Sequence, residues 1–79
     1  MHLEIITPDR KIYNGDVTSV IVPGTLGQFE LLKDHAPIIS TLQNGKVKVK
    51  DKEGVKYFDI KGGVVENLKN KIVILAESV

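Results

Sequence analysis

The sequence predicts an all-β protein, a two-layer antiparallel β-sandwich of about eight to ten short strands. Three observations predict it. Turn-forming residues recur at short intervals: Thr7-Pro8-Asp9, Asn14-Gly15-Asp16, Pro23-Gly24, Asp34 to Pro37, Gln43-Asn44-Gly45, Lys52-Glu53-Gly54, Gly62-Gly63 and Asn67 to Asn70. Runs rich in Val, Ile and aromatic residues fill the intervals, and these residue types suit a pleated, half-buried surface. No window keeps apolar residues at i, i+3, i+4 and i+7 behind a capping box, so no helix is expected. The chain has 79 residues with no repeat, linker or low-complexity segment, and residues 1–79 read as one domain.

The expected strands, in order, are His2 to Thr7, Lys11 to Tyr13, Asp16 to Val22, Gln28 to Leu32, Ile38 to Leu42, Lys46 to Lys50, Val55 to Ile60, Val64 to Leu68 and Lys71 to Ala76. The clearest is "KVKVKD", where Val47 and Val49 point one way and Lys46, Lys48 and Lys50 the other. Asp51 to Gly54 turns the chain, and "VKYFDI" returns as its hairpin partner. The lysine stripe reads as a solvated face that also protects an edge from pairing with another chain. Two strands alternate less cleanly. In "KIVILA", Ile72 and Ile74 take one face, Val73 and Leu75 the other. In "SVIVPG", Val20 and Val22 take one face and Ile21 the other. A sandwich sheet has only one face to bury against its mate. Strands apolar on both sides therefore ask for a cover on the outside, and with no helix to supply it, the cover is expected to be another protein.

Composition removes several classes of function. A net charge of +1 is too small for strong non-specific binding to nucleic acid or acidic membrane. No apolar run is long enough to span a bilayer, and the N-terminus lacks the basic start and apolar stretch of a signal peptide. There is no cysteine, so neither a disulfide nor a thiolate metal site reinforces a core that is thin at this size. These features predict a soluble cytoplasmic protein with no direct membrane insertion and no nucleic-acid partner.

The chemistry of an enzyme is missing as well. His2 and His35 are the two histidines, far apart in sequence, and no ligand spacing gathers carboxylates around either. No metal is expected. Ser19, Ser40 and Ser78 lack a nucleophile-elbow context. "GTLG" at Gly24 to Gly27 is not a phosphate-binding loop and opens no helix, so no cofactor is expected. Four aromatics, Tyr13, Phe29, Tyr57 and Phe58, are few for base stacking. A free-standing carrier or ligand-binding module is the alternative: Lys52 could stand at a hairpin tip, although the methionine-flanked lysine of lipoate and biotin carriers is absent.

Taken together, the motifs are familiar. Thr7-Pro8, Tyr13 and Gly15, then Val22-Pro23-Gly24 with Gly27, then His35-Ala36-Pro37, Gly62-Gly63 and a final strand ending Ile74 to Glu77 follow one another in order across nearly the whole chain. This succession closely resembles the N-terminal β-sandwich domain of the epsilon subunit of F-type rotary ATP synthase, called delta in mitochondria. It departs from the family pattern before His-Ala-Pro, where Lys33-Asp34 replaces the usual Pro-Gly, and in the preceding strand, where Gln28 and Glu30 stand.

The resemblance implies a non-catalytic central-stalk subunit that binds gamma and the c-ring and couples ion-driven rotation to ATP synthesis. It would touch the catalytic alpha/beta head indirectly and sit peripherally at the cytoplasmic face of the bacterial inner membrane. It implies a gamma-facing surface formed or supported by Val20, Ile21, Val22, Gly62, Gly63, Ile72, Val73, Ile74 and Leu75. It also implies a ring-facing surface of Gln28, Glu30, Lys33, Asp34 and His35. The family commonly continues into a C-terminal helical hairpin that can block rotation or bind ATP. This chain stops at Glu77-Ser78-Val79, so a short form without either property is expected.

Overall fold

In the computed structural model, which describes residues 1–78, the chain folds into eight strands and no helix among the described residues. They are β1 (His2–Ile6), β2 (Lys11–Asp16), β3 (Ser19–Gly24), β4 (Gly27–Leu32), β5 (Ile38–Leu42), β6 (Gly45–Asp51), β7 (Gly54–Leu68) and β8 (Lys71–Ser78). The all-β expectation is met. Hydrogen bonding links the strands into one sheet, in the order β2-β1-β8-β7, then β5 and β6 end to end along the same edge of β7, then β3 and β4.

The sheet becomes a sandwich by folding on itself. β7 has 15 residues, about 50 Å if straight at ~3.4 Å per residue. The longest dimension of the molecule is 25 Å, so β7 must bend. It does so at Gly62 and Gly63, whose φ values of +66° and +142° side chains rarely adopt. At Gly63 a Cβ would also sit 2.3 Å from Leu75 O. The two strands expected at Val55 to Ile60 and Val64 to Leu68 are therefore one strand with a glycine corner. Its N-terminal half pairs with β6, its C-terminal half with β5 and β8.

The first layer is thus β2, β1, β8, the second half of β7, and β5. The second is the first half of β7, β6, β3 and β4. Leu3, Ile5, Ile72, Ile74 and Val65 point inward from the first layer, and Val20, Val22, Leu31, Val47 and Val49 from the second; all are fully buried. Each such aliphatic contributes about 1.5–3 kcal/mol relative to exposure, and this interdigitation holds the layers together. Tyr13 and Phe58 close one open side edge-to-face, with ring centroids 5.5 Å apart.

Three local expectations are corrected. β1 pairs with β8 in parallel, so the ladders are not all antiparallel. Terminal strands can do this because the whole domain serves as the crossover that a parallel pair needs. Asn14-Gly15-Asp16 does not turn: it continues β2, in register with Glu4, Leu3 and His2. The break comes instead at Val17 and Thr18, whose N–H groups leave the ladder to donate to Met1 O and Lys50 O. Pro23 and Gly24 stay within β3, and the tight turn follows at Thr25-Leu26.

Candidate functional site

Several polar side chains are tied into the fold. A cleft of about 430 Å³ between β2 and the β6–β7 turn gathers Tyr13, Asp51, Lys52, Glu53 and Lys56. Within it Tyr13 OH donates to Asp51 Oδ2 at 2.7 Å, Lys56 Nζ lies 3.2 Å from the same oxygen, and the Glu53 N–H donates to Asp51 Oδ1 at 2.9 Å. The Tyr13 hydroxyl beside Asp51 holds that carboxyl below the usual carboxylate range. Burial, then the same bond, pushes the Tyr13 phenol up to about 12. Bonds to Glu53 and Asp51 raise the Lys56 ammonium. A carboxylate with three donors has little basicity left for proton transfer. The cluster staples β2 to the hairpin.

Across the β1–β2 ladder, His2 Nδ1 donates to Asp16 Oδ1 at 3.0 Å and Nε2 donates to Asn14 Oδ1. Two acceptors on one imidazole favour its protonated form, and the Asp16 bond, foremost, raises the His2 pKa. Among the described residues no group of three or more His, Cys, Asp or Glu is placed to hold a metal ion. Lys52 is exposed on the β6–β7 turn as the sequence suggested.

The outer face of the first layer is different. Register aligns Ile6, Leu75, Val64 and Thr41 across four strands in one row, and Glu4, Val73, Glu66 and Ile39 in the next. Leu68 extends the face beyond the second row. Ile39 is 71% exposed, Leu75 53% and Leu68 51%, while Ile6, Val64 and Val73 are half-buried. Exposed apolar side chains standing singly are ordinary, but six on adjoining positions form a patch. Beside it, Pro37, Ile38, Ile39, Glu66, Asn67 and Leu68 line a shallow depression of about 350 Å³.

The nine residues expected to face gamma do not share a surface. Val73 and Leu75 stand on this outer face. Ile72 and Ile74, alternating with them, are fully buried, as are Val20 and Val22. Those four support the layers from within, because a β-strand sends alternate side chains to opposite sides. Ile21 points outward but from the second layer, in register with Glu30 and Lys48, on the other side of the molecule. Gly62 and Gly63 make the corner of β7.

The five residues expected to face the ring are also parted. Gln28 is opposite Pro23, near the β3–β4 turn, and Glu30 is opposite Ile21 in mid-strand. Lys33, Asp34 and His35 form the β4–β5 loop, about 17 Å from Gln28 along the strand. That loop belongs to the end of the sandwich that also holds the N-terminus and the β7–β8 turn. His35 N–H donates to Leu32 O at 3.1 Å, and Asn67 Nδ2 donates to His35 O and Ala36 O.

At the other end is the Thr25-Leu26 turn. Leu26 is fully exposed at its tip, and the turn is braced. Thr25 N–H donates to Thr41 O, the Thr25 and Thr41 hydroxyls lie 2.8 Å apart, and Gln43 N–H donates to Pro23 O at 2.8 Å. Sequence reasoning missed Ile39, Val64, Leu68, Ile6 and Leu26. The first four were legible only with strand register, which gathers them from β1, β5 and β7, strands far apart in sequence. Leu26 could have been read from "GTLG", where an apolar residue sits inside a turn.

An all-β sandwich whose perturbed titratable groups staple strands together, with an apolar outer face and a braced apolar tip, offers surfaces for contact rather than a centre for chemistry. The chain belongs to the ATP synthase delta/epsilon chain family, whose β-sandwich domain matches residues 1–79. It is 42% identical over 77 residues to the ATP synthase epsilon chain of Caulobacter vibrioides, covering 98% of this chain and 90% of that one. Its fold is similar to a chain of the Tetrahymena thermophila mitochondrial ATP synthase central stalk/c-ring, at TM-score 0.83 and 18% identity, covering 99% of this chain and 63% of that one. It is similar also to a chain of the Euglena gracilis mitochondrial ATP synthase OSCP/F1/c-ring assembly, at TM-score 0.87 and 22% identity, covering 98% and 51%. Family membership makes this a non-catalytic subunit of an ATP synthase complex and sets aside the carrier alternative. No helix among the described residues is long and apolar enough to cross a membrane.

Proposed function

We propose that this chain is a rotor-stalk subunit of an F-type ATP synthase, docking on gamma through the outer face of its first layer and on the c-ring through the β3–β4 tip. The observation that carries the reading is the patch of Ile6, Ile39, Val64, Leu68, Val73 and Leu75 on the outer face of the first layer. An apolar patch crossed by Glu66 and rimmed by Glu4 and Lys71 fits a protein partner. The β4–β5 loop adjoins it, so Lys33, Asp34 and His35 lie at the gamma side in this reading. Leu26 and Gln28, at the far end, take the ring.

Two surfaces at opposite parts of a stiff β-sandwich suit torque transfer. The module turns with both partners, and a floppy link would twist before it transmitted load. Catalysis stays in the alpha/beta head, reached through gamma. The same docking holds the chain peripherally at the cytoplasmic face of the bacterial inner membrane. The test is co-purification of the tagged chain with gamma and ring subunit from detergent-solubilised membranes. Recovery of both in stoichiometric amounts supports the reading, and recovery of neither overturns it.

A further inference from the structure

The β4–β5 loop is held by a contact that its sequence does not announce. Asp34 and Asn70 stand 36 positions apart and each adopts the left-handed backbone, with φ values of 64° and 62°. Asp and Asn tolerate that region better than other side-chain-bearing residues. The two side chains then bond reciprocally. Asp34 N–H donates to Asn70 Oδ1 at 2.8 Å, and Asn70 Nδ2 donates to Asp34 Oδ1 at 3.0 Å. Asn70 also accepts, on its backbone carbonyl, the His2 N–H at 2.9 Å. One residue thus joins the loop, the β7–β8 turn and the first strand.

We propose that the Asp34–Asn70 pair is a positioning clamp that holds the loop and its Pro37 beside Leu68, so that the depression on the docking face is preformed when gamma arrives. The geometry supports a preorganising role more than a contact role. The polar groups that face each other across the pair are turned inward on one another. Pro37, at the end of the loop they brace, lines the depression together with Ile39 and Leu68, which the β5–β7 and β7–β8 ladders already hold. The loop links the two layers, and without the clamp it keeps the His35 N–H bond to Leu32 O at 3.1 Å and the Asn67 amide bonds at 3.3 and 3.4 Å, the last two of them long. A partner meeting an unclamped loop must order it on binding, and affinity falls by that cost.

This inference rests on the gamma-docking reading, and its test separates the two. Three variants are titrated with purified gamma by calorimetry. Asn70→Gly keeps the left-handed backbone and the carbonyl but removes both side-chain bonds. Asp34→Asn keeps an acceptor for Asn70 Nδ2 and its own N–H donor, and is the conservative rescue. Ile60→Val trims the core away from the face and controls for general loss of stability.

The expected result is a Kd weakened about threefold to tenfold in Asn70→Gly, with Asp34→Asn and Ile60→Val within twofold of the parent. Amide exchange at Asp34 and His35 should accelerate in Asn70→Gly alone. Parent-like affinity in Asn70→Gly, or equal weakening in Ile60→Val, overturns the clamp. If the parent itself does not bind gamma, the docking reading falls. The exchange data then decide the clamp alone: unchanged exchange in Asn70→Gly overturns it, and acceleration there without acceleration in Asp34→Asn supports it.

Discussion

Replacing Ile39 with alanine should separate docking from folding. In the isolated chain 71% of Ile39 is open to solvent. Full burial of an aliphatic side chain of this size contributes about 1.5–3 kcal/mol. If gamma covers what is open, docking gains roughly 1.1–2.1 kcal/mol from this residue, and Ile39→Ala should forfeit most of it. That is about a 6- to 35-fold rise in Kd. The fold itself should lose only the remaining share, roughly 0.4–0.9 kcal/mol, with a further few tenths from weaker β-propensity. Titration calorimetry against purified gamma reads the first quantity and urea denaturation the second. Tyr57→Ala is the matched control, since Tyr57 is 58% exposed on the outer face of the second layer and should leave Kd unchanged. A Kd for Ile39→Ala within twofold of the parent, or an equal loss in Tyr57→Ala, would refute the placement of the docking face.

Other outcomes follow from the same geometry. Gly63→Ala forces a Cβ to 2.3 Å from Leu75 O at φ +142° and should cost on the order of 3 kcal/mol or more, seen as a fall in Tm above about 12 °C. Ile74→Ala empties a fully buried site and should cost about 2–5 kcal/mol in chemical denaturation. The folded state raises the pKa of His2 above its ordinary 6.5, so the His2–Asp16 contribution is present below pH 6.5 and is lost as pH rises through the raised value. Tm should therefore decline over that window, and Asp16→Asn should flatten the decline. A cysteine at Leu26 should crosslink to the ring subunit and one at Lys33 to gamma; the reverse pattern would invert the module's orientation.

The sequence carried the strand class because its turn residues and β-branched runs are local signals. It carried the division of "KIVILA" into two sides because alternation is local too. It could not show that Val55 to Ile60 and Val64 to Leu68 are one bent strand. Gly62-Gly63 serves as well for a turn as for a corner, and only the 25 Å dimension of the packed molecule decides. Asn14-Gly15-Asp16 has turn chemistry, yet pairing with β1 overrides it. The docking face was half legible: Val73 and Leu75 were set together on one side of their strand without showing that it faces out, and their neighbours Ile39, Val64 and Ile6 come from strands far apart in sequence. Register alone brings those together. The Asp34–Asn70 pair was invisible for the same reason, since neither residue predicts the other across 36 positions.

The central claim, that gamma covers the outer face of the first layer, is tested most directly by a cysteine footprint. The natural chain has no cysteine, so each introduced thiol reports one position. Cysteines placed singly at Ile39, Leu68 and Leu75, and at Val55 and Tyr57 on the opposite face, are labelled with a thiol reagent with and without bound gamma. Gamma should slow labelling at least tenfold at the first three positions and leave the last two unchanged. Protection at Val55 and Tyr57 with free labelling at Ile39, Leu68 and Leu75 would contradict it.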